Sequence, residues 1–441
     1  MQAPGLRYGP QPRPMHTTPG EEAGNRAVML LHDELLAIFR AGVDAASAPA
    51  ALAARLPEAP PASGRTLVLG CGKAAGAMAE VAAAHLPGKV EGCVVTRFGH
   101  GARGPTGGIE VIEASHPVPD AASLAAGRRI RELAATAGPG DRVVFLISGG
   151  GSSLLVDPIP GLTLEGKAAI NAHLVRSGTA IADINCVRRH LSQVKGGRLA
   201  AAAAAAAEDM HSFIISDVVG DDPAVVASGP TIASPFEPDR ALAILAESGW
   251  ATDGSLGRLI RAAAPPPVPA HPVHVIADAR TALEAASAQA VARGWTVIRI
   301  GDALEGDAAA TGRAHAELAL RHAAAGARCL LVSGGELTVT VRVPGGRGGP
   351  NLEYLAGLMA ALPEGAPVAA LACDSDGIDG SEDNAGGWFD AATRAPALDC
   401  EAALAANCTF DLFQRTGGLV TTGPTRTNVN DIRLIAVGAP T

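Results

Sequence analysis

Residues 142–155 read RVVFLISGGGSSLL, and residues 328–343 read RCLLVSGGELTVTVRV. Each is a leucine-rich, β-branched run that stops at Ser-Gly-Gly, at Ser148–Gly151 and again at Ser333–Gly335. Such runs predict buried strands, and glycine at the carboxyl end of a strand lets the backbone turn and approach a ligand closely. Successive N–H groups in a turn of this kind form a concavity suited to a phosphate or carboxylate. Two such ends in one chain point to an α/β protein that handles phosphate groups.

The composition is consistent with that class. A chain of 441 residues is long for one core, which predicts two domains. Lys and Arg total 35 against 44 acids, a net charge of −9, so there is no cationic excess to neutralise a nucleic-acid backbone. The seven cysteines are scattered without a CxxC pair, as expected for free thiols in a reducing cytoplasm. No run approaches the roughly 20 apolar residues of a membrane span. Residues 1–24 are rich in Pro and Gly, lack an apolar core and read as a disordered extension.

Outward from the two strand ends, helix and strand signals alternate. Val28, Leu31, Leu35, Ile38 and Phe39 recur at helical spacing and predict an opening amphipathic helix. Strands are predicted at 66–69, 90–95, 109–113, 142–147 and 212–216, and the alanine run Leu199–Glu208 reads as helix. The stretch 264–272, APPPVPAHP, carries five prolines and is expected to be the linker between an N-terminal domain (25–263) and a C-terminal domain (273–441). After it, strands are predicted at 273–277, 295–300, 329–332, 337–343, 368–372 and 432–437, the last free to return to the first domain. This alternation implies two mainly parallel, helix-covered sheets with a ligand cleft beyond their strand ends.

Polar residues gather at those ends. In LVLGCGKAAGAM, Gly70-x-Gly72-x-x-x-Gly76 has one residue too many for a dinucleotide fingerprint, and the next strand ends in Thr96-Arg97 without an acid for a ribose. Lys73 stands in that turn, within reach of a transferring phosphoryl group. NCVRRHLSQVKGGRLA (185–200) reads as about four helical turns carrying Arg188, Arg189, His190 and Lys195, with Arg188 and Lys195 on one side, an arrangement suited to an anion. Asp217, Asp221 and Asp222 in SDVVGDDP, and Asp374, Asp376, Asp379, Glu382 and Asp383 after strand 368–372, offer oxygen ligands that suit Mg²⁺ shared with substrate phosphates better than a calcium cage. No zinc spacing is present, and His116 and His190 read as structural or hydrogen-bonding residues.

Taken together, SGGGSSLL, NxVRRHLSxxKGGRLA, SDxxGDDPxxxASGPT, SGGExTVTV, GRGGxN, DGIDG and PTxTNxND resemble, in this order, the glycerate 2-kinase family. Older usage labels that family hydroxypyruvate reductase and calls its C-terminal part MOFRL. The resemblance runs from about residue 25 to 441. It implies a Rossmann-like N-terminal domain, a smaller α/β C-terminal domain and a cleft site between them. It also implies ATP- and Mg²⁺-dependent phosphorylation of D-glycerate at its 2-hydroxyl in the cytoplasm, without nucleic-acid or membrane partners. A homodimer is left open.

Carried over by position, Lys73 and Asp217 are expected to take catalytic roles, joined by Arg347, the nearest cation to a family position that this chain does not match. Ser148, Gly149, Gly150, Gly151, Ser152, Ser153, Arg188 and Lys195 bind substrate or phosphate. Ser333, Gly334, Gly335, Glu336, Asn351 and Asn428 bind nucleotide, and Asp217 and Asp376 bind metal. Two positions depart from the family pattern. Pro350 replaces the family's common arginine in GG-R-N, and Arg426 stands where glycine is frequent, so Arg347 or Arg426 is expected to supply the missing charge. The alternatives are an NAD(P)H-dependent hydroxypyruvate reductase, with the cofactor on Gly70–Gly76, and a non-catalytic homologue.

Overall fold

Six strands form the first sheet: β1 (Thr66–Cys71), β2 (Val90–Arg97), β3 (Gly108–Ala114), β4 (Arg142–Ser148), β5 (Met210–Ile215) and β6 (Val273–Ala277). Every neighbouring pair is parallel, in the order β3-β2-β1-β4-β5-β6. This is the doubly wound Rossmann-like order, whose topological switch point lies between β1 and β4. Side chains alternate between two buried faces: Val68, Val94, Val144 and Leu146 enter one apolar cluster, and Leu67, Leu69, Phe145 and Ile147 the other. Burial on both faces explains why these strands read as nearly continuous apolar runs. The protein is described by a computed structural model covering residues 19–251 and 254–438.

The second sheet contains β7 (Thr296–Leu304), β8 (Cys329–Gly335), β9 (Val368–Asp374), β10 (Gly386–Phe389), β11 (Leu419–Val420) and β12 (Asp431–Val437), in the order β11-β10-β9-β12-β8-β7. Only β7 and β8 run parallel; the other pairs are antiparallel. The expectation of two mainly parallel sheets therefore holds for the first and fails for the second. Because β12 runs against β8 and β9, its beginning lies beside their ends: Asp431 pairs with Gly335 on one side and Asp374 on the other. Three sequence-distant loops thus open on one edge.

The expected boundary at 264–272 is displaced. β6 follows the prolines yet pairs with β5, so the proline stretch lies inside the first domain. The opening helix, Pro19–Ala45, packs on helix Ala279–Ala292 and touches β9 and β12 of the second sheet. Its buried Leu35, Ile38 and Phe39 share one cluster with Val144 and Phe213 of the first sheet and Val332, Leu371 and Leu434 of the second. The two halves therefore have a common core. The expected extension 1–24 lies mostly outside the described residues, and its end, from Pro19, is helical.

Three further local expectations change. The LTVTVRV segment is not a strand: after Glu336 the chain leaves the sheet, and Val341 and Val343 are exposed. The helix expected across 185–200 runs from Ile181 to His190 and stops, because Leu191–Val194 turns back toward the 157–159 segment. Residues 199–208 divide between the short helix Arg198–Ala202 and the 3₁₀ segment Ala204–Asp209.

Candidate active site

The carboxyl ends of β1 and β4 stop level with each other, Cys71 opposite Ile147. The turns that follow are fastened together: Lys73 N–H donates to the Gly149 carbonyl at 2.9 Å, and Ala74 N–H donates to Ser148 Oγ at 3.0 Å. Gly149 and Gly150 admit no larger residue without movement. A Cβ on Gly149 would lie 2.0 Å from Asp217 Oδ2. Gly150 has φ +78°, and its Cβ would stand 3.1 Å from His116 Nε2 and 3.2 Å from Lys73 Cγ. The turn is thus bracketed by an acid, an imidazole and a lysine.

Lys73 Nζ hydrogen-bonds Asp376 Oδ2, an ion pair that joins the first sheet to the second. Burial alone would push the Lys73 ammonium down, but Asp376, Asp374 and Asp217 outweigh it and raise its pKa. Burial likewise opposes ionisation of Asp376, yet Lys73 and the Ile378 N–H (2.8 Å) hold this carboxyl below its ordinary value. Asp374 moves far upward, through burial and then through repulsion from Asp376 and Asp431. Asp217 is also raised by burial; it accepts from the Gly150 N–H and from Asn428 Nδ2 at 3.3 Å.

Two adjoining cavities open here. The smaller, about 170 Å³, is lined by Lys73, His116, Asp374, Asn428, Asn430 and Asp431, among others. The larger, about 660 Å³, is lined by Ser152, Asn185, Arg188, Val219 and Glu305, among others. Gly150, Asp217 and Glu336 line both. The walls come from segments that follow or precede strands of both sheets.

The residues expected from sequence divide into those that meet here and those that do not. Lys73, Gly150, Ser152, Arg188, Asp217, Glu336 and Asn428 line the cavities, and Asp376 holds Lys73 from behind. Ser148, Gly149 and Gly151 build the turn, while Ser153 bonds only locally, its Oγ donating to the Gly150 carbonyl at 3.2 Å. Lys195 is fully buried off the cavity wall and donates to the Ala227 carbonyl at 3.2 Å; burial pulls its pKa down to about 7.

Ser333, Gly334 and Gly335 are strand residues instead of a ligand turn. The Gly334 and Gly335 carbonyls each accept from the Arg433 guanidinium at 3.1 Å. Asn351 is buried and lines neither cavity; it ties the wall residue Asp431 (2.7 Å) to Asp379. Asp379 itself accepts the Asn351 and Leu352 N–H groups at the start of helix Pro350–Ala361. Pro350 is the first residue of that helix, where its fixed φ and missing N–H cost nothing.

Neither arginine replaces the family clamp in this structure. Arg347 is exposed, bonded to Glu382 at 3.0 Å and Asp411 at 2.8 Å, and stacked over Phe410. Arg426 is bonded to Glu80 at 2.7 Å. Neither lines either of these two cavities, and carboxylates satisfy both. Conversely, sequence reasoning passed over His116, Asn185, Asn430 and Asp431. The SHPVPD and NxND motifs contained the signal, but only the folded chain brings it beside Lys73.

Among the described residues, no three His, Cys, Asp or Glu side chains converge as a preformed metal site. The small cavity nevertheless sets Asp217, Asp374, Asp431 and Glu336 against the single ammonium of Lys73. That oxygen-rich, acid-heavy lining fits a hard divalent cation whose remaining ligands are water and phosphate. Among the described residues, no single helix is long and apolar enough to cross a membrane.

The fold and this site define a two-unit α/β protein. A domain of unknown function, DUF4147, matches residues 34–261, and the MOFRL family matches residues 329–431. A protein of Agrobacterium vitis that carries the provisional name hydroxypyruvate reductase is 44% identical, covering 91% of this chain and 93% of that one. The D-glycerate 2-kinase of Thermotoga maritima is 36% identical over 83% of this chain and 89% of its own length. The crystal structure of a glycerate kinase from Thermotoga maritima superposes with a TM-score of 0.81, at 33% identity, covering 93% of this chain and all of that one. The chain belongs to the glycerate 2-kinase family.

Proposed function

We propose that the protein transfers the γ-phosphoryl group of ATP to the 2-hydroxyl of D-glycerate, giving 2-phosphoglycerate and ADP. The observation that carries this reading is the Lys73–Asp376 pair set against the Gly149–Gly151 turn at the switch point, facing Asp217 across the cavity. Phosphoryl transfer asks mainly for positioning and neutralisation of charge. Lys73, held charged by the surrounding carboxylates, supplies the cation, and the glycine turn offers its backbone amides. Mg²⁺ carried with the nucleotide would add charge neutralisation, and the acid-rich wall of the small cavity would hold it. Asp217 faces the transfer site as acceptor for the hydroxyl proton, its basicity raised by burial.

The carboxylate of the acceptor fits the larger cavity, where Arg188 stands on the wall with Asn185 Oδ1 at 3.3 Å. Cytoplasmic location and absence of nucleic-acid or membrane partners accompany this reading. The reductase alternative has less support: Lys73 and Thr96-Arg97 occupy the places where a dinucleotide site needs open backbone and a ribose-binding acid.

The test is incubation with ATP, Mg²⁺ and a panel of 2-hydroxy acids, with the phosphorylated position identified by ³¹P NMR. The expected product is 2-phosphoglycerate, with activity lost in excess EDTA and restored by Mg²⁺ or Mn²⁺. Full activity in EDTA removes the metal from the reading, and hydroxypyruvate-dependent NAD(P)H oxidation without phosphoryl transfer overturns it.

A further inference from the structure

Two buried or half-buried histidines, His190 and His271, have both ring nitrogens engaged. His190 contacts the Cys186 carbonyl through Nδ1 at 2.8 Å and accepts the Glu237 N–H through Nε2 at 2.9 Å. His271 is bonded on both sides, to the Pro269 carbonyl at 3.0 Å and to Ser212 Oγ at 2.9 Å. His116 differs. Among the described residues, neither of its nitrogens has a hydrogen-bond partner, yet the ring lines the small cavity with Lys73, Gly150 and Asp217. A Cβ placed on Gly150 would meet His116 Nε2 at 3.1 Å and Lys73 Cγ at 3.2 Å, so imidazole and lysine flank the same point of the turn. A polar ring left free beside a cation and an open glycine turn is placed for a ligand.

We propose that His116 is a catalytic residue that donates an Nε2–H hydrogen bond to the terminal phosphoryl group of the nucleotide, opposite Lys73. The assignment rests on the kinase reading above. Burial, followed by the charges of Lys73 and Arg97, pulls the pKa of the ring down to about 3 before a nucleotide binds, which favours the neutral imidazole. A neutral imidazole has one N–H to give, and here it adds a bond to the phosphoryl group without burying a second positive charge beside Lys73. The ring keeps its proton throughout. The bond formed joins the acceptor oxygen to phosphorus, the bond broken is the P–O bond to ADP, which leaves with its electron pair, and the hydroxyl proton passes to Asp217.

The experiment compares calorimetric affinities for ATP–Mg²⁺ and ADP–Mg²⁺ in the parent, His116→Phe and His116→Gln. Phe keeps a ring without a donor, and Gln returns an N–H near the position of Nε2. In His116→Phe, ATP affinity should fall about tenfold while ADP affinity stays within about twofold, the loss expected for one hydrogen bond to a charged group. kcat should fall alongside, and Gln should recover most of both. Should Phe fail to fold, His116→Ala with added imidazole replaces it, and the added imidazole should restore ATP affinity. Equal loss of ATP and ADP affinity, or no loss of either, overturns the assignment. An ATP-specific loss in a protein that phosphorylates no hydroxy acid upholds His116 and sinks the acceptor reading, while a parent that binds neither nucleotide sinks both.

Discussion

Ser148-Gly-Gly and Ser333-Gly-Gly are the same three residues after similar apolar strands, and they end in different states. At the first, the chain leaves the sheet: Gly150 takes φ +78° and the turn faces Lys73, Asp217 and His116. At the second, β8 continues through Gly335, between β7 and β12, and the Gly334 and Gly335 carbonyls are held by the buried Arg433. The strand neighbours decide. β4 sits at a switch point where a helix must follow, and its partners β1 and β5 end level with it. β8 has an antiparallel partner whose first residues pair with its last glycines. Glycines permit a ligand turn, but a free set of backbone groups beyond the strand end is what makes one.

The largest effect that separates the two regions is expected at Lys73, which serves only the first. Lys73→Ala should lower kcat by about a hundredfold or more, the size of a lost transition-state contact. It should also destabilise the fold, because Asp376 would remain buried without its cation. Lys73→Arg should recover stability more fully than rate. A kcat within about threefold of the parent for Lys73→Ala would remove this side chain from the mechanism.

The same substitution at the two serines tests the comparison directly. Ser148→Ala leaves the buried Ala74 N–H without its acceptor and should cost about 1–3 kcal/mol in urea unfolding, with a loss of rate. Ser333 Oγ is buried without a partner among the described residues, so Ser333→Ala should be neutral or slightly stabilising. Equal costs at both positions would show that the two ends are not differently used.

Lys195 sharpens the contrast between a cation held by acids and one held by none. Its folded pKa of about 7 lies below the usual lysine value, because burial disfavours the charged form. From about pH 7 to 10 the unfolded chain therefore binds the extra proton, and this group makes the fold more stable as pH rises, by up to about 1.4 kcal/mol per pH unit. Below pH 7 both states are protonated, and the cost of burying the charge is present in full. The stability difference between the parent and Lys195→Met, followed by urea midpoints from pH 6.5 to 9, should show this rise; a flat difference would mean that Lys195 titrates normally.

The smallest effects are expected at Arg347 and Arg426. Both are paired with carboxylates away from the cavities, so Arg347→Ala, Arg426→Ala and the double variant should keep kcat/KM within about threefold, under 1 kcal/mol. A larger loss with ATP at saturation would place one of them at the phosphoryl group in a conformation other than this one.

Local chemistry was legible in the chain itself. Apolar runs announced β1, β2, β4, β5, β8, β9 and β12, because a strand buried on both faces is apolar at most of its positions. The motif order identified the family, and Lys73, Gly150, Asp217 and Asn428 meet because each follows or precedes such a strand. What the sequence could not decide was partnership between distant segments. Periodicity does not say that β6 crosses the proline stretch to join β5, or that β12 enters its sheet antiparallel. Arg347 and Arg426 read as free cations until the fold brought Glu382, Asp411 and Glu80 to them. His116 read as structural until the fold left it without a protein partner beside Lys73. The physical reason is common to all of these. Propensity and polarity act over a few residues and are written in the chain, whereas ion pairing, burial and access to a cavity depend on which surfaces the tertiary packing brings together.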